Sequence, residues 1–364
     1  MSPATKRAAK RPPAKARVRA SRPASALAAA DEAREAGEFG DILALIARAR
    51  QQAYRAVNTV LIDLYWQVGA IISARLTRAE WGEGVVERLA ERIAREHPGL
   101  RGFTRPNLFR MRQFYEAYQG DEKVSPLVRQ IPWTHHLIIL GQSKVPEERA
   151  FYLHLAHRER WSSRELERQI KGALFERTAL TPAKVSAALR QTHPEALSVF
   201  KDSYLVEFLG LPPQHAEADL HGALLLQLRD FLIELGRDFC FVGSEYPVQV
   251  GRQDFALDLL FFHRGLNCLV AIELKVGRFE PEHLGKLNFY LEALDRDHRK
   301  PHENPAIGVL LCASKDDEVV EYALSRNLTP ALIAQYRTQL PDKRLLQAKL
   351  HELMAQAVGG DVGA

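Results

Sequence analysis

Two short strings in the C-terminal half place ionisable side chains where apolar ones are expected. Phe255-Ala256-Leu257-Asp258-Leu259-Leu260 holds one carboxylate inside an apolar run. Ala271-Ile272-Glu273-Leu274-Lys275-Val276 holds a carboxylate and an ammonium. Side chains alternate along a strand, so Glu273 and Lys275 share a face, about 6.6 Å apart. If the two runs pair through the short turn at Arg264-Gly265, Asp258 comes alongside them. Burying unpaired charge costs several kcal/mol per group, so three such groups need partners or a metal ion. Mg²⁺, or Mn²⁺ in its place, meets that need with one or two carboxylates, waters and phosphate oxygens. Asp258 and Glu273 are the expected ligands, with the Leu274 backbone carbonyl as a further oxygen. Lys275 would assist the attacking water or offset charge as a phosphodiester is attacked. The products would carry 5′-phosphate and 3′-hydroxyl ends. The plainer alternative is an Asp at a strand edge and a Glu–Lys pair on a solvated face. The flanks LDLLFF and LVAIELKV are too apolar for that.

The elements that must hold these residues follow from periodicity. A helix is expected from Glu217 to Gly236, with Leu220, Leu224, Leu228, Phe231, Leu232 and Leu235 on its apolar side. The texture then changes. Phe239–Val250, Phe255–His263 and Leu266–Val276 read as three strands joined by tight turns, an antiparallel meander. Pro281–Leu294 returns to helical spacing. Ala306–Ala313 reads as a buried strand, Asp316–Leu324 as a helix, Ala331–Tyr336 as a strand and Asp342–Met354 as a last helix. The order αβββαβ with an αβα extension predicts a mixed sheet flanked by helices.

The N-terminal half reads as all-α. From Gly40 to about Leu76 the residues Ile42, Leu45, Ile46, Val57, Val60, Leu61, Leu64, Val68 and Ile71 predict a long apolar stripe. Gly84–Glu96 repeats the pattern. Thr104 and Pro106 read as cap and first turn of a helix that carries Leu108, Met111, Phe114, Tyr115 and Tyr118 on one side. Arg105, Asn107, Arg110 and Arg112 occupy its other positions, either as a helix-turn-helix reader of a major groove or as the solvated face of a bundle. His135 and His136 read as cap or core, and Ser162 as the cap of a further helix. Boundaries are expected at 1–30 (basic tail), 31–180 (helical domain), 181–200 (linker) and 201–364 (α/β domain).

The chain has 364 residues, 46% of them apolar and 26% charged, which suits a folded two-domain protein and excludes wholesale disorder. Residues 1–30 hold eight Lys or Arg and no acid; against a net charge of +5, residues 31–364 are left at −3. Such a tail has little to bury and raises affinity for nucleic acid by counterion release, or serves only solubility. No apolar run is expected to reach the ~20 residues of a membrane span, so no membrane partner is expected. Cys240, Cys268 and Cys312 are too few and too scattered for a disulfide framework; buried reduced thiols and a cytoplasmic location are expected. There is no G-x-x-x-x-G-K-[ST] string.

The chain resembles the PD-(D/E)xK nuclease superfamily and, within it, the YhcG-like bacterial family. The similarity runs over about 40–355, through GEGVVERLAERI, GFTRPNLFRMRQFYEAY, IPWTHH, WSSRELERQI, FLIELGRDFCFVG, LDLLFFH, LVAIELK, PEHLGKLNFY, GVLLC and VVEYAL. The resemblance implies an αβββαβ nuclease domain behind a winged-helix-like or related DNA-binding module. It assigns Asp258, Glu273 and Lys275 as catalytic residues and Lys286, with Tyr290 one turn on, as a phosphate contact. The helix before the meander often supplies an acid near the metal; here His221 stands at the matching position, with Glu217 one turn earlier as the other candidate ligand. The expected function is metal-dependent endonucleolytic hydrolysis of DNA, with RNA left open. The alternatives are a nucleic-acid-binding protein with a silent nuclease fold, or a scaffold regulated by a partner subunit or a second copy.

Overall fold

In the computed structural model, the structure describes residues 57–78, 84–120 and 125–360. The basic tail and the part of the expected apolar stripe that holds Ile42, Leu45 and Ile46 lie outside them. The chain divides at Val60/Leu61, and the elements described below belong to the larger unit, Leu61–Ala364, apart from the first turn of the first helix.

The helical half comprises α1 (Val57–Thr77), α2 (Val85–Glu96), α3 (Arg105–Tyr118), α4 (Ser125–Val128), α5 (Trp133–Gln142), α6 (Pro146–Glu159), α7 (Ser163–Lys171) and α8 (Leu174–Leu180). Leu108, Met111, Phe114 and Tyr118 of α3 are buried, as their spacing predicts. Ser162 caps α7, its hydroxyl accepting from the Glu165 amide at 3.2 Å. The His pair is core: His135 and His136 bond the carbonyls of Trp161 (2.8 Å) and Val128 (2.9 Å), and burial pushes His136 down to about 4. The stripe predicted for α1 is rotated: of its described residues, Leu61 and Val68 pack against a helical core and the others do not. Val57, Val60, Leu64 and Ile71 are exposed, and Ile62, Tyr65 and Ile72 are buried. Gly69 sets that rotation, because a Cβ there would lie 2.1 Å from the Met111 carbonyl oxygen. Contrary to expectation, α1 is long and apolar enough to cross a bilayer by length and composition: 21 residues of mean hydropathy 1.3. Its Val, Leu and Ile residues carry that average, and Ile62, Tyr65 and Ile72 pack into the helical cores.

The segment 181–200, expected as a linker, forms α9 (Ala187–Thr192) and α10 (Ala196–Val199) and packs Val185, Leu189, Ala196 and Phe200 into the core of the sheet. A short strand missed in the sequence, β1 (Ser203–Leu205), follows. The expected long helix is two, α11 (Glu217–Leu226) and α12 (Leu228–Leu235), broken at Gln227. Then come β2 (Phe239–Val250), β3 (Gln253–His263), β4 (Cys268–Arg278), α13 (His283–Ala293), β5 (Asn304–Ser314), α14 (Asp317–Ser325), β6 (Ala331–Arg337) and α15 (Lys343–Gly360).

The sheet runs β1-β6-β5-β4-β3-β2, antiparallel through β2, β3 and β4 and parallel from β4 to β1. One face is covered by α9 to α12 through Leu189, Leu220, Leu224, Phe231 and Leu235; the other by α13 and α14 through Leu284, Leu287, Leu291, Val320 and Leu324. Gly308 of β5 lets α13 lie close. A Cβ there would sit 2.9 Å from Leu287 and Leu291 carbons. Cys268 and Cys312 are buried thiols as expected, but Cys240 is exposed, because it faces outward on the edge strand β2.

A buried ionic knot joins the helical half to the sheet. Glu234 of α12 is fully buried and takes Arg168 Nη2 at 2.5 Å, Gln169 Nε2 at 2.9 Å, Lys201 Nζ at 3.3 Å and the Leu205 amide at 3.1 Å. Burial opposes its charge, yet Lys201, Arg168 and Arg177 together hold its carboxyl down at about 2.

Candidate active site

The β3–β4 ladder runs from His263/Cys268 to Leu259/Ile272 and stops. The next residues in line, Asp258 and Glu273, are therefore opposite each other where the two strands part. Opposed residues of an antiparallel pair point to the same face, so both carboxylates open into one fork. The Leu274 amide, released from the ladder, donates to Asp258 Oδ2 at 2.7 Å and fixes that carboxylate. Asp258 is half-buried.

Glu273 is fully buried. Its Oε1 accepts from Lys286 of α13 and lies 3.5 Å from Lys275 Nζ; its Oε2 has no hydrogen-bond partner among the described residues. Burial raises the Glu273 carboxyl pKa, the Lys286 hydrogen bond works against that, and the Asp258 charge adds to it. For Lys286, burial favours the neutral amine, but the bond to Glu273 and its charge prevail and raise the ammonium. Lys275 is held by Glu217 of α11, at 3.0 and 3.3 Å from its two oxygens. The Tyr290 hydroxyl donates to the Ala256 carbonyl at 2.6 Å, and Lys286 Nζ lies 5.5 Å from the Tyr290 ring centre. Lys286 and Tyr290 thus clamp α13 across both arms of the fork.

The structure brings together Asp258, Glu273, Lys275, Lys286, Tyr290, Glu217 and His221. Glu217 serves Lys275, and His221 turns Nε2 to the Asp258 backbone carbonyl at 3.2 Å. Among the described residues no group of three or more His, Cys, Asp or Glu is arranged to hold a metal. Two carboxylates are enough for Mg²⁺, which keeps waters and phosphate oxygens as its other ligands. The orphaned Glu273 Oε2 and the Asp258 oxygen not used by Leu274 form an all-oxygen donor pair of the right hardness.

Arg105, Asn107, Arg110 and Arg112 lie apart from this fork, on α3 among the helical cores. Asn107 is structural: its amide donates to the Gly102 carbonyl and its oxygen accepts from Trp133 Nε1 at 3.3 Å. Arg112 pairs with Glu116 at 2.7 Å. Arg105 and Arg110 are exposed, Arg105 lying 5.3 Å from the Phe109 ring centre.

Comparison with known proteins agrees with this architecture. Residues 197–351 match the YhcG PDDEXK nuclease domain, and residues 41–177 match the DUF1016 N-terminal domain. The chain is 34% identical to "Putative nuclease YhcG" of Escherichia coli (strain K12), over 85% of this chain and 92% of that one. Among solved structures it is similar to a repair endonuclease from Pyrococcus abyssi, with a TM-score of 0.24 and 15% identity over 35% of this chain and 48% of the other. On an identity that spans most of both chains, with the αβββαβ sheet and its fork in place, the protein belongs to the YhcG family of PD-(D/E)xK nucleases.

Proposed function

We propose that this protein is a divalent-metal-dependent endonuclease that hydrolyses phosphodiester bonds of DNA. The observation that carries the reading is the fork itself: a fully buried Glu273 with an unpartnered oxygen, opposite Asp258, with two ammoniums at its rim. Asp258 and Glu273, with the Leu274 carbonyl, would hold Mg²⁺ or Mn²⁺, which when bound would supply Lewis-acid activation of the phosphate and of the attacking water. Lys275, steered by Glu217, offsets the charge that develops on the phosphate and orients the water. Lys286 neutralises Glu273 in the free protein and turns to a phosphate oxygen of the substrate. Arg105 and Arg110, exposed on α3, supply sequence-independent phosphate contacts from the helical half.

The test is cleavage of plasmid, single-stranded, branched and RNA substrates by the full chain with Mg²⁺ or Mn²⁺. DNA should be cleaved, EDTA should abolish the cleavage, and Asp258→Asn, Glu273→Gln and Lys275→Ala should each lower it by at least about a hundredfold. Cleavage at wild-type rates in all three variants would remove the reading. DNA binding without cleavage at any metal concentration would favour a silent nuclease fold.

A further inference from the structure

A second cationic site lies two strands along the sheet from the catalytic fork. In the register Lys275 faces Cys312 of β5, and Cys312 faces Gln335 of β6, so β6 is about 10 Å from β4 at this level. Past Gln335 the strand ends at Arg337, where a cavity of about 480 Å³ opens between α8, β6, β1 and α15. Its wall includes Arg177, Ser203, Arg337, Lys349, Leu353 and one acid, Glu352.

Arg177 and Ser203 are both more than nine-tenths buried. Arg177 is anchored by two backbone carbonyls, Nε to Gly172 at 2.9 Å and Nη1 to Ser203 at 2.8 Å. Its remaining nitrogen, Nη2, has no partner among the described residues, and neither has Ser203 Oγ. A guanidinium so fixed is pre-organised, and its orphaned donor costs free energy until an acceptor arrives. Burial works against the Arg177 charge, Glu234 and Tyr152 partly offset that, and Arg337 and Arg168 add repulsion. Glu234 is already engaged by Arg168 and Lys201. Arg337 and Lys349 are exposed, and among the described residues neither forms an ion pair with an acid. Arg177, Arg337, Lys349 and one acid line a cavity of small-ligand size, and the unpartnered Arg177 Nη2 and Ser203 Oγ are buried in its wall; this is the chemistry of a phosphate site.

We propose that this cavity binds a phosphate-bearing anion, with Arg177 and Ser203 at its floor and Arg337 and Lys349 at its mouth, separately from the nuclease fork. Leu353 on the wall suits a ligand with an apolar or aromatic part beside the phosphate, such as a nucleotide. The site is built from α8 of the helical half, β6 of the sheet and the C-terminal helix, so an occupant bridges all three.

The test is calorimetric titration of the full chain, in EDTA, with pyrophosphate and with adenosine 5′-monophosphate. Saturable binding of either at one site is expected, tighter for the nucleotide if its base lies on Leu353. Removing Arg337 and Lys349 together should weaken it at least about tenfold, and Ser203→Ala should weaken it with no loss of thermal stability. Lys286→Met should leave binding unchanged, because its ammonium belongs to the other site. No saturable binding into the low millimolar range would overturn the proposal. So would equal weakening by Lys286→Met, which would place the anion in the fork.

Discussion

Replacing Lys286 by methionine tests whether its ammonium and the divalent cation proposed for the fork compete for Glu273. In the metal-free protein the Lys286 ammonium bonds the fully buried Glu273, whose other ammonium neighbour, Lys275, is 3.5 Å away and shared with Glu217. Breaking a buried pair by removing one partner costs about 3–5 kcal/mol. The Lys286 side chain is 48% exposed against 0% for Glu273, so water screens part of that, and a loss of about 2 kcal/mol is the better figure. On a chain of 364 residues that lowers the melting temperature by about 3 °C in EDTA. A divalent cation at Asp258 and Glu273 no longer competes with an ammonium in the variant, so its affinity should rise by about thirtyfold, the same 2 kcal/mol. The assay is scanning calorimetry in EDTA and in saturating Mg²⁺, with Mn²⁺ titration of both proteins. The variant should melt lower in EDTA, regain most of the difference with Mg²⁺ and bind Mn²⁺ more tightly. A deficit that is the same in EDTA and Mg²⁺, or weaker Mn²⁺ binding by Lys286→Met, would refute the competition.

Further consequences follow from the elements around the fork. Gly308→Ala should cost about 1–3 kcal/mol through collision with Leu287 and Leu291, and should lower cleavage more than DNA binding, because it lifts the helix that carries Lys286; chemical denaturation and cleavage rates check both. Glu234, with its carboxyl held at about 2, contributes stability that is full above its unfolded value near 4.5 and is lost as pH falls toward 2. Glu234→Gln should therefore lose about 3 kcal/mol at neutral pH and show a flatter acid limb in a pH–stability profile. Arg105→Ala with Arg110→Ala should weaken DNA binding alike for all sequences and reduce the salt dependence, whereas Asn107→Ala should lower the melting temperature; fluorescence anisotropy at several salt concentrations separates the two.

Most of the sheet is legible from sequence because its signals are local. The meander β2–β4 announces itself by period two and short turns, and the charged residues Asp258, Glu273 and Lys275 stand out against apolar flanks. What the sequence hides is set by tertiary contact. β1 is three residues long and exists only by pairing with β6. The segment 181–200 has no periodicity, yet its few apolar side chains fill the core beneath the sheet. The rotation of α1 is decided by the approach of Gly69 to the Met111 backbone, which no hydrophobic stripe encodes. Within the fork, the family resemblance points to Lys286, but only the close packing at Gly308 brings its ammonium to Glu273. The cavity at Arg177, Ser203, Arg337 and Lys349 draws on four separated stretches of chain, and only the fold assembles them.

The proposed nuclease chemistry requires Asp258 and Glu273 together to hold one hard cation at the mouth of the β3–β4 fork. Electron paramagnetic resonance of Mn²⁺ titrated into the full chain tests it most directly, since bound and free Mn²⁺ differ in signal. One site should fill in the wild-type protein, be abolished by Asp258→Asn or Glu273→Gln, and remain intact in Arg337→Ala. Mn²⁺ bound equally well by Asp258→Asn, Glu273→Gln and wild type would contradict it.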